Sequence, residues 1–412
     1  MKSDARTIFT RAIDSVLPDA SVRRALQAHP LDRPATVIAI GKAAWRMARA
    51  ACDVLGDSIQ SGIVITKYGH SEGPLPGLTI FEAGHPVPDA NGAAAAEAVL
   101  RLADMLTADD QVIFLVSGGG SALFESPLPG VSLQDIAAIT RQLLACGADI
   151  TEINTIRKHL SAVKGGRFAL RCAPAPVLSI VLSDVLGDPL DVIASGPAYP
   201  DASTCQDVER IIRRYHLHIP DSVLPALHQE TPKVLNNVTH VVTGNVQALC
   251  NAAAQAARSL GYTPLVLTTT LNCEAREAGS LLASIAREIR SSGRPIAPSC
   301  AVILGGETVV HLHGNGRGGR NQELALSAAR GIDGLSDTLI FSVGSDGTDG
   351  PTDAAGGMVT GEFAAQCRKR GLSIEDCLSK NDAYTLLRQM DSLILTGPTG
   401  TNVNDLTVLL MR

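Results

Sequence analysis

The stretch Gly305–Glu323, GGETVVHLHGNGRGGRNQE, constrains this chain more than any other. It reads as a short apolar strand, a loop dense in glycine and arginine, and a helix opening at Asn321. Such a loop has two properties that anion chemistry needs. Glycines let backbone N–H groups come close to a ligand, and a helix start aims unpaired N–H groups at it. Arg317 and Arg320 add planar forks that suit phosphate or carboxylate. A plain strand-to-helix turn with two solvated arginines would have the same local sequence, so the remainder of the chain has to decide.

The same design recurs along the chain. Thr36–Ile40 is an apolar strand followed at once by Gly41-Lys42 and a helical stretch. That places Lys42 at the carboxyl edge of a parallel sheet, where such sheets bind ligands. Gln111–Val116 is followed by Ser117, Gly118, Gly119, Gly120 and Ser121. No G-x-S-x-G frame fits this loop and no GK[ST] follows it, which leaves a phosphate-binding nest or a tight turn. Asn154–Leu170 packs Arg157, Lys158, His159, Lys164 and Arg167 into one segment, an anion site or a solvated helix face. Val177–Leu182 leads into Asp184 and Asp188, and Thr338–Val343 into Asp346, Asp349 and Asp353. Acids in loops that follow strands suit a magnesium ion or a substrate hydroxyl, and aspartates also form turns for their own sake. Asp184, Asp188, Asp346 and Asp349 are the candidate metal ligands.

The chain has 412 residues, beyond the roughly 250–300 at which single cores stop growing, so two domains are expected. Loosening at TPKVLNN places the boundary near 235, giving domains 1–235 and 236–412, with Thr239–Thr243 opening the second series. Apolar residues make up 45% but aromatics only 3%, so Ala, Val, Leu and Ile fill the interior, as in α/β enzymes. A net charge of −6 argues against nucleic acid or an anionic membrane as partner. An anionic substrate must therefore meet local positive charge. The nine cysteines form no CxxC pair and no Cys/His cluster with zinc spacing. Cys52, Cys146, Cys172 and Cys250 read as reduced core residues. No signal-peptide run and no stretch of about 18 uncharged apolar residues is present, so a cytoplasmic protein is expected.

Three glycine-containing loops after strands, with cations and carboxylates, fit a polyphosphate, a small anion and Mg2+ together. Phosphoryl transfer asks for positioning and for cations on the transferring oxygens. Lys42, Arg317 and Arg320 suit that work. The competing class is an NAD(P)H-dependent dehydrogenase, since Gly314, Gly316 and Gly319 satisfy G-x-G-x-x-G. The ribose-binding acid about 20 residues on is not cleanly present, and two arginines are unusual beneath a pyrophosphate. A non-catalytic anion-binding protein explains the loops but not the accompanying acids.

Taken together the motifs resemble the class II glycerate kinases, the glycerate 2-kinase family with a DUF4147-like N-terminal part and a MOFRL-type C-terminal part. The first half carries GKAAWRMA (Gly41–Ala48), VSGGGSALFESP (Val116–Pro127), NTIRKHLSAVKGGR (Asn154–Arg167) and SDVLGDPLDVIASGP (Ser183–Pro197). The second carries GGETVVHLHGNGRGGRNQELAL (Gly305–Leu326), GSDGTDGPTDAAGG (Gly344–Gly357) and TGPTGTNVNDL (Thr396–Leu406). The resemblance implies ATP-dependent phosphorylation of D-glycerate to 2-phosphoglycerate. It implies two three-layer α/β/α domains, one Rossmann-like, with the site in an interdomain cleft. Members are often labelled hydroxypyruvate reductase. The family's catalytic lysine and arginine match Lys42 and Arg320. Binding roles for ATP and substrate fall on Ser117–Ser121, Arg157 and Lys158, and on Glu307, Gly316, Arg317, Gly318, Gly319 and Asn321. One departure is Gly196-Pro197-Ala198, where the family usually has a threonine in third place; a hydroxyl contact is missing there.

Overall fold

The computed structural model describes every residue except Asp184, Leu186 and Asp188. It divides into two compact units. The first is Pro18–Thr243; the second joins Met1–Leu17 to Gly244–Arg412.

The first unit is built on strands β1 (Ala35–Ile40), β2 (Ile59–Lys67), β3 (Thr79–Ala83), β4 (Gln111–Val116), β5 (Val177–Leu182) and β6 (Val238–Gly244). Their order is β3-β2-β1-β4-β5-β6, and the β1–β2, β2–β3, β1–β4 and β4–β5 pairs are parallel. This is the doubly wound Rossmann order, in which the chain runs outward from the β1/β4 pair in both directions. β1, β4 and β5 are buried along nearly their whole length, as strands covered on both faces must be. Ile38, Ile40, Phe114 and Val116 pack with Ala95 and Val99 of helix Ala90–Ala103 and with Phe168. The alternate residues Val37, Ala39, Ile113 and Leu115 are buried on the other face, where helix Ala44–Leu55 packs against β1, β2 and β4. The result is three layers.

The second unit has β7 (Thr263–Leu271), β8 (Cys300–Gly306), β9 (Thr338–Gly344), β10 (Gly356–Thr360), β11 (Leu393–Ile394) and β12 (Asp405–Met411). Their order is β11-β10-β9-β12-β8-β7, with β7–β8 parallel and the other pairs antiparallel. Helices Ala275–Ser292 and Arg320–Gly331 cover one face with Val302, Leu304, Ile340 and Leu409. Helices Lys2–Ser15 and Val246–Ser259 cover the other, and Phe9 meets Phe341 edge-on at 5.7 Å. Three layers form here too.

Two boundaries differ from those read off the sequence. The strand expected to open the second domain is β6, which extends the first sheet beside β5. Asn237 steers it there: its backbone carbonyl accepts from Val177 N–H, and its side chain donates to Ala169 and Ala175 carbonyls. The first helix belongs with the C-terminal half. Its Asp4 carboxylate accepts from Tyr262 and Arg412, and its apolar face (Ala5, Ile8, Phe9, Ala12, Ile13) is buried. The segment Leu393–Leu410 holds two strands, β11 and β12, joined by a loop, and β10 and β9 lie between them in the sheet. Among the cysteines, Cys172 and Cys250 are core residues as expected, whereas Cys52 is half-buried and Cys146 exposed. Among the described residues, no helix is long and apolar enough to cross a membrane.

Candidate functional site

In the first unit the loops after β1 and β4 are joined at the switch point. Lys42 N–H donates to the Gly118 carbonyl at 2.9 Å, Ala43 N–H to Ser117 Oγ at 3.1 Å, and Ser117 N–H to the Ile40 carbonyl at 3.0 Å. Gly41 is a glycine because its φ is +113° and a Cβ would lie 2.3 Å from Ser117 Oγ. Among the described residues the Gly118 and Gly119 N–H groups have no acceptor, as an anion nest requires. The Lys42 side chain is exposed, and its ammonium group makes no ion pair among the described residues. Gly41→Ala is expected to lower the thermal midpoint by several degrees more than Gly56→Ala. Gly56 also has positive φ, +50°, but nothing within 4 Å of a Cβ, so a calorimetric comparison isolates the clash.

Two histidines that sequence reasoning passed over stand beside Lys42. The His70 ring nitrogen Nδ1 lies 3.1 Å from the Lys42 carbonyl. The His85 ring comes within 3.0 Å of where a Gly119 Cβ would be, and burial followed by the Lys42 charge pushes its pKa down. The cue was AGHPVPD directly after β3: two prolines stop a helix and hold the loop at the sheet's carboxyl edge.

The basic segment is not a solvated face. Lys164 is fully buried, pairs with Glu125 at 2.8 Å, and donates to the Ser121 and Phe124 carbonyls. Burial pushes its ammonium pKa down to about 8. Arg157 also donates to the Ser121 carbonyl, at 3.2 Å, and Ser121 Oγ sits 2.8 Å from Ser195 Oγ. These cations brace the far end of the glycine loop. Lys158 is 4% exposed and its charge is taken by Asp201 at 3.1 Å and Asp191 at 3.5 Å, so it is spent on the fold.

In the second unit β12 runs antiparallel between β8 and β9, and its first residue, Asp405, pairs with both Gly306 and Gly344. Asp405 therefore lies where β8 and β9 end. The helix after β8 begins at Arg320, one residue before the expected start, with Gly319 as its N-cap. Arg320 Nε and Nη2 donate to the two Asp405 oxygens at 2.6 and 3.1 Å, and Nη1 lies 2.9 Å from Glu307 Oε1. Burial is the largest single influence and works against the Arg320 charge, but the Asp405 hydrogen bonds together with the charges of Asp405, Glu307 and Asp349 outweigh it, so its pKa is raised. Glu307 also accepts from Asn404 Nδ2 at 3.2 Å. Asp405 and Asn404 were missed as site residues. They stand in the NVND motif before the last strand, and only its antiparallel insertion brings them to Arg320.

Asp349 is 3% exposed and caps this helix, accepting from the Asn321 and Gln322 N–H groups at 3.1 and 2.9 Å. Burial pushes its carboxyl up to about 7 against the pull of those N–H groups. Its role in the fold is thus a cap, and Gly319 is glycine because a Cβ would meet the Asp349 carboxyl at 2.3 Å. The Asn321 side chain is likewise internal, with Oδ1 accepting from Ser342 Oγ at 2.6 Å. Asp346 Oδ1 accepts from Thr348 N–H, and Oδ2 has no partner among the described residues. Asp184 and Asp188 lie outside the described residues.

The loop glycines do not form a dinucleotide cradle. A Cβ on Gly314 or Gly316 would stand 2.5 Å from the Lys380 carbonyl, and Gly316 N–H donates to that same oxygen. Gly318 packs its carbonyl against Gly350. Arg317 stacks 4.7 Å over the Tyr384 ring rather than joining Arg320. The G-x-G-x-x-G spacing serves packing of Gly314 and Gly316 against residues 380–382 and of Gly319 against Asp349.

Residues 4–228 match the family model described as a domain of unknown function, DUF4147, and residues 300–405 match the MOFRL family. The chain is 53% identical to the D-glycerate 2-kinase of Thermotoga maritima, over 99% of this chain and 98% of that one. It is 42% identical to the glycerate 2-kinase of Pyrococcus horikoshii, over 91% of this chain and 87% of that one. A crystal structure of glycerate kinase from Thermotoga maritima superposes with a TM-score of 0.98 at 52% identity, covering 100% of this chain and 99% of that one. With the switch-point loop in one unit and the Arg320 constellation in the other, this chain belongs to the DUF4147/MOFRL family of glycerate kinases.

Proposed function

We propose that the protein transfers the γ-phosphoryl group of ATP to the 2-hydroxyl of D-glycerate. The observation that carries this reading is Arg320, a half-buried fork held in one orientation by Asp405 and Glu307. A preset cation of this kind suits charge that develops on transferring phosphoryl oxygens, because it need not reorganise during the reaction. The bond formed is between the glycerate O2 and the γ-phosphorus; the bond broken is from that phosphorus to the β–γ bridging oxygen, which leaves on ADP; the hydroxyl proton passes to solvent.

The residues divide the work by chemistry. Arg320 presents its remaining N–H groups to the transferring phosphoryl, while Asp405 fixes the plane of the guanidinium. Lys42 and the Gly118 and Gly119 N–H groups receive an anionic group of a reactant, a phosphate or the glycerate carboxylate. Arg157 and Lys164 act as positioning residues through the Ser121 carbonyl. Mg2+ asks for hard oxygen donors, and Asp346 and Glu307 supply carboxylates of that type. When bound, the ion would draw charge off the phosphate oxygens. The cytoplasm is the proposed compartment, in keeping with thiols such as Cys172 and Cys250 in apolar cores.

One preparation tests the reading. ATP with D-glycerate is expected to yield ADP and 2-phosphoglycerate, and NADH with hydroxypyruvate is expected to yield no turnover. The reverse pattern would make the protein a reductase and overturn the proposal. Lys42→Ala is expected to lower kcat/KM at least tenfold, the loss of roughly 1.5–3 kcal/mol for a charged hydrogen bond. Steady-state kinetics with each substrate varied identifies the reactant it holds.

A further inference from the structure

His159, Cys205 and Glu230 are far apart in the chain, at spacings that match no zinc motif, and the fold brings them together. His159 ends helix Ile150–Leu160, Cys205 opens helix Cys205–Tyr215, and Glu230 follows the short helix Leu224–Leu227. A ring nitrogen of His159, the Cys205 sulfur and a Glu230 carboxylate oxygen all lie within 4.8 Å of one another.

The histidine points to a ligand independently of that grouping. It is fully buried, and its Nδ1 lies 2.9 Å from the Thr155 carbonyl one turn back, which fixes the proton on Nδ1. Nε2 then carries a lone pair, and it is buried with no hydrogen-bond partner. A buried imidazole that donates one N–H to a backbone carbonyl and leaves the other nitrogen bare has the arrangement of a metal-ligating histidine. Buried polar atoms otherwise find partners, because leaving one unpaired costs about 1–3 kcal/mol.

We propose that His159 Nε2, Cys205 Sγ and the Glu230 carboxylate bind a borderline-soft divalent metal, Zn2+ in the first instance. Mixed nitrogen, sulfur and oxygen donors select such an ion over Mg2+ or Ca2+, which prefer oxygen alone. A thiolate and a carboxylate together balance its charge. Glu230 is exposed, which gives the ion a route in and leaves a position for water. Burial keeps the Cys205 thiol protonated, so binding forms the S–Zn bond and releases the thiol proton to solvent. One cation and one backbone donor already touch Glu230: Lys233 at 2.8 Å from Oε2, and Cys205 N–H at 2.9 Å from Oε1. A carboxylate has about four lone-pair sites, so both contacts can persist beside the metal.

The site would tie the end of the helix that carries Asn154 and Arg157 to the 201–233 segment. Those residues contact Ser195 and Ser121, so the ion would stiffen the support of the glycine loop. It is distinct from the Mg2+ of phosphoryl transfer.

The test uses the full-length protein, stripped with a chelator and titrated with Co2+ and then Zn2+. The expected result is one equivalent of Co2+ bound with visible d–d bands and a thiolate-to-cobalt charge-transfer band, both removed by Zn2+. Cys205→Ser is expected to abolish the charge-transfer band, and Cys146→Ser, an exposed thiol elsewhere, to keep it. Glu230→Gln is expected to weaken Co2+ binding without loss of folding, since it is a surface change. No charge-transfer band in the wild-type protein, or a band that survives in folded Cys205→Ser, overturns the site. Kinase turnover does not enter the readout, so failure here leaves the glycerate kinase assignment standing.

Discussion

Arg320→Ala is expected to lower kcat by roughly 10²-fold or more, about 2.7 kcal/mol of transition-state stabilisation, with a smaller change in the KM values. A cation that stabilises developing charge acts on kcat, whereas one that merely holds a reactant acts on KM. Near-wild-type turnover would remove Arg320 from the chemistry. The substitution also leaves Asp405 buried beside Asp349 without its cation, and burial already pushes the Asp405 carboxyl up. Arg320→Lys separates the two effects. It keeps a positive charge near Asp405 but cannot reproduce a fork that spans two Asp405 oxygens and Glu307 together. If fork geometry matters, Arg320→Lys stays folded and remains slow. If charge alone matters, it recovers most of the rate. Circular dichroism alongside steady-state kinetics distinguishes these outcomes.

Much of this constellation was legible before any coordinates. Arg320 stands between a strand and a helix, and the local run GGETVVHLHGNGRGGRNQE places the helix start to within one residue of it. Lys42 was legible for the same reason, since Gly41 and the apolar run before it fix its place. Local sequence carries strand ends and helix starts well, because each depends on a few neighbouring residues. The acids were harder to read. Asp349 stood in a run of turn-forming aspartates, and its service as a helix cap depends on the helix start 28 residues earlier. Asp405 reaches Arg320 across 85 residues through an antiparallel strand inserted between two others. Neither pairing leaves a periodic trace. The domain boundary failed similarly: the mostly β-branched pentapeptide Thr239–Thr243 after a polar loop looks like a new beginning, and only strand pairing shows it finishing the old sheet. The G-x-G-x-x-G match misled in the opposite direction. Spacing cannot tell a glycine that faces a ligand from one that faces the Lys380 carbonyl.

The basic segment after Asn154 presents the same problem at its most expensive point, and it yields the largest stability effect. Lys164 and Glu125 are 0% and 1% exposed and 2.8 Å apart. Breaking such a pair by removing one partner leaves a buried charge uncompensated and costs about 3–5 kcal/mol. Lys164→Met strands the Glu125 carboxylate, removes the Lys164 donor to the Phe124 carbonyl and leaves the Ser121 carbonyl with Arg157 alone. Glu125→Gln strands the ammonium but keeps those two bonds, so its cost is expected to be the smaller. In a unit of this size, thermal midpoints shift by roughly 2–4 °C per kcal/mol, well within reach of calorimetry. The double variant Lys164→Met/Glu125→Gln is expected to be more stable than Lys164→Met alone, because the Glu125 carboxylate is no longer left buried without Lys164. Additive losses would mean that the two groups do not stabilise each other. A midpoint near wild type in Lys164→Met would mean that Lys164 does not brace the loop. Activity supplies the remaining discrimination. The double variant repairs the charge but not the lost Lys164 donor to the Ser121 carbonyl, so it is expected to regain stability without regaining turnover. That split would place Lys164 as a positioning residue for the glycine loop, acting through a carbonyl and not through contact with ATP or glycerate.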